Sequence, residues 1–574
     1  MRPLVTTTIR SIRGDLPLRT HLSAATVLAL VVILLRMPGF GAPLGIDEGG
    51  MTPIGSDWLR NIANGTHGDS LYGDLWVDRP PLILALYGAA NLVGGAFGVR
   101  ILGLVAALVA AILAGSVAER LGGRRAWLPA SLITGVLLST PSIDGDRTPG
   151  ELLAAVPAAI AVCLLAGVAL SDRRRRLGLV ATDETPARGI GAMRIGRWHR
   201  VLLIGGAGAA AACAPLIKQS ALDGCLAAAC WFAYRAIADR GVARNGRAVL
   251  RDISVFTIGA LAASGITVGL ALRAGTSFDD LTYALIGFRV DVLVALTEQS
   301  SSPAERATRL LAPAAASGLV VVVLFAPIGM WLAARRGPLA GAGAALLAGW
   351  LLGASIGVAG GGYYWAHYLI QLVPPIGVAT GIVLATRRAW APTTLIALLI
   401  LVASAGQFVR HQAIVLPEIA QAGFRAGDQQ AVVAIGDFVR RNSLSDDRVA
   451  VVYARANVAY YAQRQPATSF MWCSMYRALP DAREQLRASL TGPDRAAWIV
   501  QWNSTKAYGL DRDGSLKAAI DSGYRRVTVM CSKPILLRRD RELPSVVMPT
   551  EHCPAAGPQR VFGDVPVATG FTRG

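Results

Sequence analysis

The amino-acid sequence predicts a polytopic α-helical membrane protein with a small extracytoplasmic α/β domain at its C-terminal end. Of its 574 residues, 53% are hydrophobic and 16% are charged, and the mean hydropathy is +0.46. This balance is typical of chains that lie mostly in a bilayer. Long apolar segments alternate with short arginine-rich ones as far as residue 410, and shorter alternating runs follow. The net charge of +19 therefore indicates basic cytoplasmic loops rather than a nucleic-acid-binding surface.

The N-terminal segment is predicted to be an uncleaved signal anchor with its N-terminus in the cytoplasm. Four arginines precede an apolar run that ends near Leu35, and no small-residue cleavage site follows at 37–40. A basic start and an uncleaved apolar segment are typical of such an anchor.

Apolar segments long enough to cross a bilayer recur through the first 410 residues. They cover 22–36, 100–118, 152–170, 252–272, 309–334, 338–357, 369–386 and 391–409. Shorter segments cover 82–97, 127–140, 201–216 and 220–236. The weakest, 82–97, opens with two prolines and is predicted to be a short or interfacial helix. We expect an odd number of spans, about eleven to thirteen.

Arginine clusters orient these segments, because basic residues concentrate on the cytoplasmic side. The clusters lie at 173–176, 194–200, 240–251, 335–336 and 387–388. They predict that 273–308, 358–368 and the chain after residue 410 face outside. Basic residues are almost all arginine, and alanine and glycine are abundant, which indicates a high-GC bacterial genome. For a bacterial chain with many spans, the predicted location is the inner membrane.

The region 411–574 is predicted to be a separate outer domain, leaving 1–410 as a transmembrane domain with an outer loop at 37–81. Strands are predicted at 448–453, 497–502 and 526–531, and helices at 429–441 and 516–522. Three cysteines lie here, Cys473, Cys531 and Cys553. Outside the cytoplasm they allow one disulfide and one free thiol, or three unpaired thiols.

An acidic pair, Asp47-Glu48, directly follows the first apolar segment. Ionisable groups at membrane depth cost roughly 2.5–3.5 kcal/mol each, so they tend to mark function. A carboxylate there can act as general base towards an acceptor hydroxyl. For the later acids of this loop, Asp69, Asp74 and Asp78, simple solvation of an exterior loop is the favoured interpretation.

Two basic residues are candidates for binding a phosphate group. Arg79 precedes Pro80-Pro81, which fix the chain direction at a helix start, and an arginine can grip phosphate through paired bonds. Lys218 is the only lysine among the first 500 residues. The alternatives are a headgroup-contacting arginine and a charge that only sets topology.

Polar residues also interrupt two apolar stretches further along the chain. His367 and Gln371 lie four residues apart on one helical face beside an aromatic belt at 363–365. Asp146 and Glu151 lie in a polar turn at 144–151, where helix capping and a site role are both open.

These motifs together resemble the GT-C superfamily of polyprenyl-phosphate-sugar glycosyltransferases, especially its protein O-mannosyltransferase-like and aminoarabinose transferase-like families. The matching positions are Asp47-Glu48, Tyr72 to Leu82, Lys218, His367, Tyr368, Gln371, Pro374 and Pro375. Arg79 stands where that family has lysine, so charge is kept and shape is not.

The resemblance implies a GT-C-like fold and transfer of a hexose or pentose from a polyprenyl phosphate to a hydroxyl on a glycan, lipid or protein. It implies inversion at the anomeric carbon, with Asp47 and Glu48 as catalytic residues and Arg79 and Lys218 on the donor phosphate. Substrate contacts are expected from Tyr72, Asp146, Glu151, His367, Tyr368 and Gln371. Some relatives use a divalent metal, although this sequence shows no ligand set that requires one.

Two other classes of function stay open. A transporter of lipid-linked sugars would share polar groups in the membrane, but such proteins more often show repeated halves, and no internal repeat is evident here. A non-catalytic cell-envelope assembly protein would need only the outer domain, which leaves Asp47-Glu48 and Arg79 unexplained.

Overall fold

The computed structural model describes residues 18–65, 71–73, 75–177, 197–238, 243–297, 304, 307–337, 339–386, 428–453, 455–479, 481–543, 545–549 and 553. The span predicted at 391–409 lies outside these residues, and so do Asp69 and Asp74.

The described residues as far as 386 are mostly helical. Its helices are α1 (Leu18–Arg36), α2 (Ile46–Asn64), α3 (Pro81–Gly122), α4 (Trp127–Leu137), α5 (Gly150–Arg176), α6 (Arg197–Ile217), α7 (Asp223–Ala238), α8 (Ala243–Arg273), α9 (Phe278–Thr282), α10 (Phe288–Thr297), α11 (Leu311–Ala316), α12 (Leu319–Val323), α13 (Ala326–Arg336), α14 (Gly341–Ala359) and α15 (Val373–Leu384). A π-helical turn at Tyr283–Gly287 joins α9 to α10, and a 3₁₀ helix at Ala366–Leu372 precedes α15.

Among the described residues, eight helical stretches are long and apolar enough to cross a membrane. They are Leu22–Gly39, Pro81–Gly122, Gly150–Arg175, Trp198–Ile217, Gly246–Arg273, Leu319–Arg336, Gly341–Ala359 and Ala366–Leu384. The predicted polytopic helical architecture is therefore confirmed. The predicted total of about eleven to thirteen spans stays a prediction.

Helix α3 contains a break between two of the predicted segments. The backbone of Gly94 and Gly95 is non-helical, so two helical stretches meet at a kink within Pro81–Gly122. Gly95 has a φ of +58°, in the region that favours glycine. This break agrees with the expectation of a short helix within 82–97 before the longer span at 100–118, and its interfacial placement stays a prediction.

The predicted span at 309–334 is broken into shorter pieces. A 3₁₀ turn at Thr308–Leu310 leads into α11, and Gly318, with φ +76°, separates α11 from α12. Helix α13 begins at Ala326, with proline in its first turn. A change of direction at a left-handed glycine and a start at a proline are the usual ways to interrupt an apolar helix.

The chain forms two compact units. One contains 1–38, 102–267 and 306–408, and the other contains 39–101, 268–305 and 409–574. In the first unit α5 packs against α6, and α7 packs against α14. A Cβ added at Gly349 of α14 would lie 2.8 Å from the Cα of Ala227 in α7. Small residues let these helix backbones approach closely, as is common in membrane bundles.

The second unit contains the predicted α/β domain. Its helices are α16 (Asp428–Asn442), α17 (Asn457–Ala462), α18 (Cys473–Ala478), α19 (Ala482–Thr491) and α20 (Ser515–Gly523), and its strands are β1 (Val449–Val452), β2 (Trp498–Gln501), β3 (Tyr524–Met530) and β4 (Lys533–Arg538). The strand order is β1-β2-β4-β3, with β1 parallel to β2 and the other pairs antiparallel.

The core of this domain forms between the sheet and α16. Buried apolar residues of α16, including Ile435 and Phe438, pack with Trp498 of β2. The three predicted strands and two predicted helices are confirmed. Strand β4 was not predicted, because Pro534 near its start is atypical of a central strand. The predicted domain boundary at residue 410 stays a prediction.

Cysteine pairing follows the first of the two alternatives. Cys531 and Cys553 form a disulfide with a Cα–Cα distance of 5.1 Å, within the normal range. Cys473 is a free thiol.

Candidate active site

The start of α2 separates the two acidic residues of the first loop. Gly45 is the N-cap residue, and its N–H donates to Glu48 Oε2 at 2.7 Å, which closes a capping-box contact. Asp47, in the same first turn, points elsewhere, and its side chain is 43% exposed against 5% for Glu48. The helix start therefore gives the neighbouring carboxylates different surroundings.

Glu48 has a structural role. Its Oε1 accepts from Arg100 Nη1 in a buried ion pair. Arg100 also donates to the carbonyl oxygens of Pro43 at 2.8 Å and Ala42 at 3.3 Å. Through these carbonyl contacts the ion pair positions the chain that enters α2. Breaking the pair would leave an uncompensated buried charge, which is strongly destabilising. This geometry favours Asp47 over Glu48 as the carboxylate that meets a substrate.

Asp47 has two partners from distant parts of the sequence. The indole Nε1 of Trp472 donates to Asp47 Oδ1 at 2.9 Å, and Arg79 Nη2 lies 3.6 Å from Asp47 Oδ2. The indole passes close to the helix backbone at Gly50, where an added Cβ would lie 2.6 Å from its Cζ2 atom. Glycine at this position therefore allows Trp472 to reach Asp47.

Asp78 joins two arginines beside Asp47. Arg79 Nη1 lies 2.6 Å from Asp78 Oδ1, and Arg289 Nη2 lies 2.7 Å from Asp78 Oδ2. Arg289 also donates to the Asp78 carbonyl oxygen at 3.2 Å. The interpretation of Asp78 as a solvating loop residue is wrong, because it is buried and bridges two cations.

Tyr72 holds the backbone of Arg79 in place. Its hydroxyl donates to the carbonyl oxygen of Arg79 at 2.7 Å, and its backbone takes φ +67°. Burial, and then the charge of Asp78, raise the pKa of Tyr72, so the hydroxyl stays protonated and can donate. Trp76 also holds this loop. Its backbone N–H donates to the carbonyl oxygen of Ser469 at 2.9 Å, and its ring packs edge-on against Phe288.

The other unit collects a second group of the predicted residues. Lys218 Nζ lies 2.8 Å from Glu151 Oε1, which is also 4.0 Å from His367 Nε2. His367 Nδ1 lies 3.1 Å from Asp144 Oδ2. The Lys218 ammonium is 5.2 Å from the centre of the Tyr368 ring. Residues predicted separately from 144–151, 218 and 367–368 thus form one charged cluster around the buried carboxylate of Glu151.

Two remaining predicted residues lie near this cluster in the sequence but have different contacts. Gln371 Nε2 lies 3.2 Å from Ser220 Oγ. Asp146 is 4% exposed, and its carboxylate oxygens accept no hydrogen bond from the described residues. Helix α5 begins at Gly150, close to the helix start that the polar turn indicated, and no side chain caps it.

Arg36, which was not predicted from the sequence, holds the turn that carries Asp144 and Asp146. It is 2% exposed at the end of α1, and it donates to the carbonyl oxygens of Leu138 at 3.0 Å, Arg147 at 2.6 Å and Gly145. Arg100 and Trp472 were not predicted either. The signal for both arginines was a charge at or inside an apolar segment, whereas Trp472 had no local signal.

The described residues contain no group of three or more histidine, cysteine or acidic side chains placed to hold a metal ion. The divalent metal that some relatives use stays a prediction for this protein.

Similarity to solved structures is extensive although sequence identity is low. ArnT from Cupriavidus metallidurans bound to undecaprenyl phosphate is 13% identical with a TM-score of 0.57, over 91% of this chain and 98% of that chain. The oligosaccharyltransferase AglB from Archaeoglobus fulgidus, in complex with an inhibitory peptide and a dolichol-phosphate, is 14% identical with a TM-score of 0.53. That match covers 88% of this chain and 72% of the AglB chain. The chain has the GT-C fold.

The fold that the sequence resemblance implied is therefore confirmed. No protein-family model matches this sequence, and no curated protein matches it. At such low identity, the similarity to these structures shows only the fold. The roles of individual residues are inferred from their own contacts.

Proposed function

We propose that this protein is a multi-pass membrane glycosyltransferase that moves a sugar from a polyprenyl phosphate to an acceptor hydroxyl on the outer face of the bacterial inner membrane. The observation that carries the proposal is Asp47, a half-exposed carboxylate oriented by Trp472 and lying beside Arg79. Its neighbour Glu48 is buried against Arg100, so the acidic pair supplies one accessible base.

The donor class is supported by the structural neighbours. ArnT was solved with undecaprenyl phosphate, and AglB was solved with a dolichol-phosphate and a peptide. In this chain Asp78 holds Arg79 and Arg289 side by side, which preorganises two guanidinium groups for a phosphate. Lys218, held by Glu151, is a further candidate in the other unit.

The reaction proposed is a single displacement. The acceptor oxygen bonds to the anomeric carbon while the bond from that carbon to the phosphate oxygen breaks. The acceptor proton passes to the Asp47 carboxylate, and the electron pair of the broken bond leaves with the lipid phosphate. Attack opposite the leaving group inverts the anomeric carbon. Nearby cations stabilise the charge that develops on the phosphate oxygen.

The remaining sequence-predicted residues have supporting roles in this proposal. Tyr72 holds the Arg79 backbone. His367, Tyr368 and Glu151 surround Lys218. Asp146 and Gln371 are proposed sugar contacts. The N-terminus is proposed to lie in the cytoplasm, with the C-terminal domain outside, as the arginine clusters predict.

The test is release of polyprenyl phosphate by purified protein in detergent, given a labelled polyprenyl-phosphate sugar and a hydroxyl acceptor. Asp47→Asn should lower turnover by about 10²–10⁴-fold, the range for loss of a general base, without lowering the melting temperature. Asp279→Asn, an exposed carboxylate of α9 in the same unit, is the matched control. Normal turnover by the Asp47 variant would refute the assignment, and absence of any release by the wild type would favour a transporter.

A further inference from the structure

A cleft of about 850 Å³ lies in the unit that contains Asp47, but Asp47 does not line it. One wall comes from α2 and α3, through Ser56, Asp57, Arg60 and Asn91. The other comes from α16, from α17 and from the segment that follows α17. Its volume is in the range of small-molecule sites. Asp78, Arg79 and Trp472 are not among its lining residues either, so the cleft is distinct from the proposed reacting centre.

The charged groups of the cleft give it a positive excess. Among the described residues, four arginines line it, Arg60, Arg440, Arg441 and Arg464, together with two carboxylates, Asp57 and Asp437. Arg440 and Arg441 both pair with the Asp437 carboxylate. Arg60 pairs with Asp57 at 3.0 Å. A groove with more cations than carboxylates attracts anions.

Arg464 contributes charge that its own hydrogen-bond partners do not neutralise. Its guanidinium donates to Ser443 Oγ at 2.9 Å, to Ser443 O at 2.9 Å and to Gln463 O at 2.9 Å. These partners are oxygens of neutral groups, so the guanidinium is held rigidly while its positive charge persists. A fixed cation loses less entropy on binding an anion than a mobile surface arginine does.

Uncharged polar groups complete the lining. Tyr460 donates to Asn91 Oδ1 at 3.1 Å, and Asn91 donates to Ser56 Oγ at 2.9 Å. The side chains of Gln463 and Gln465 also line the cleft. Amides and hydroxyls provide the donors and acceptors that sugar hydroxyls need, and the Tyr460 and Tyr461 rings offer apolar faces. A bare phosphate would leave most of these groups unused.

We propose that this cleft binds an anionic sugar group, a ring with hydroxyls and a phosphate or carboxylate. The anion would lie against Arg440 and Arg441 at the end of α16, and the hydroxyls against the amide and tyrosine side. The site does not depend on the transfer reaction proposed above, because none of Asp47, Arg79 and Trp472 lines the cleft.

The experiment measures binding to the full-length protein by calorimetry. The probes are glucose 6-phosphate, glucose and inorganic phosphate in detergent, and phosphatidylinositol in nanodiscs. Glucose 6-phosphate should bind about tenfold more tightly than either glucose or phosphate alone, because it uses both sides of the cleft. The Asp47→Asn variant should bind equally well, which separates this site from the fate of the proposed reaction.

Variants then locate the binding. Arg440→Gln with Arg441→Gln should weaken binding by roughly tenfold or more. The matched control is Arg525→Gln with Arg526→Gln, which removes the same charge from two exposed positions of β3. Arg60→Gln is a second variant that keeps the fold, since its side chain is 58% exposed, and it should also weaken binding.

The outcomes divide clearly. Loss of binding in the cleft variants and retention in the control would support the site. If only phosphatidylinositol binds, and the same variants lose it, the anionic hydroxylated group belongs to a lipid headgroup and the site stands. Equal loss in the control variant would overturn the proposal, and so would soluble probes that bind with no preference for glucose 6-phosphate over phosphate.

Discussion

The hydrogen bond from Trp472 to Asp47 should set the orientation of the proposed base. Trp472→Phe keeps a flat apolar ring but removes the N–H that donates to Asp47 Oδ1 at 2.9 Å. A hydrogen bond to a charged group contributes roughly 1.5–3 kcal/mol. Asp47 is 43% exposed, so water replaces part of this bond, and the lower end applies. The expected result is about a tenfold fall in kcat with little change in the donor KM.

A second substitution tests the same hydrogen bond without replacing Trp472. Gly50→Ala places a Cβ 2.6 Å from the Trp472 ring and 2.5 Å from the Cβ of Ala456, so both neighbours must shift and the hydrogen bond to Asp47 is disturbed. It should lower kcat by a similar factor. The control is Trp502→Phe, a buried tryptophan of the same domain that stacks on Arg455. Polyprenyl phosphate release is the assay, and the reasoning fails if both site variants turn over normally or match the Trp502 variant.

Three further predictions concern the remaining charged and reactive groups. Glu48→Gln leaves the Arg100 charge buried without its carboxylate, so a thermal melt in detergent should show a loss of roughly 3–5 kcal/mol, whereas unchanged stability would contradict the structural role. Arg79→Ala and Lys218→Ala should each lower kcat by about ten- to a hundredfold, with Arg79→Lys retaining more, and normal kcat would place the phosphate site elsewhere. Burial raises the pKa of Cys473 to about 12, so peptide mapping should find slow alkylation at pH 8 that accelerates towards the pKa and on unfolding; fast labelling of the folded protein would refute this.

The sequence by itself determined most helices and strands and the main ionisable residues of the candidate site. Hydrophobic segment length and arginine placement predicted the membrane helices, and alternation predicted β1, β2 and β3, because both signals are local to the segment. The acidic pair at 47–48 and the charges at 79, 218 and 367 were visible because ionisable groups are rare at membrane depth. The resemblance of these motifs to the GT-C superfamily then gave the fold that the structure confirms.

Only the tertiary structure decided which partner each group takes. Asp47 and Glu48 are neighbours in sequence, yet one meets Trp472, 425 residues away, and the other meets Arg100. The burial of Asp78 between two arginines, and the Arg36 side chain that holds the turn at 144–147, likewise depend on segments distant in sequence. Partner choice is a long-range property, because an ion pair or hydrogen bond is fixed by which backbones pack together, and local pattern carries no information on that.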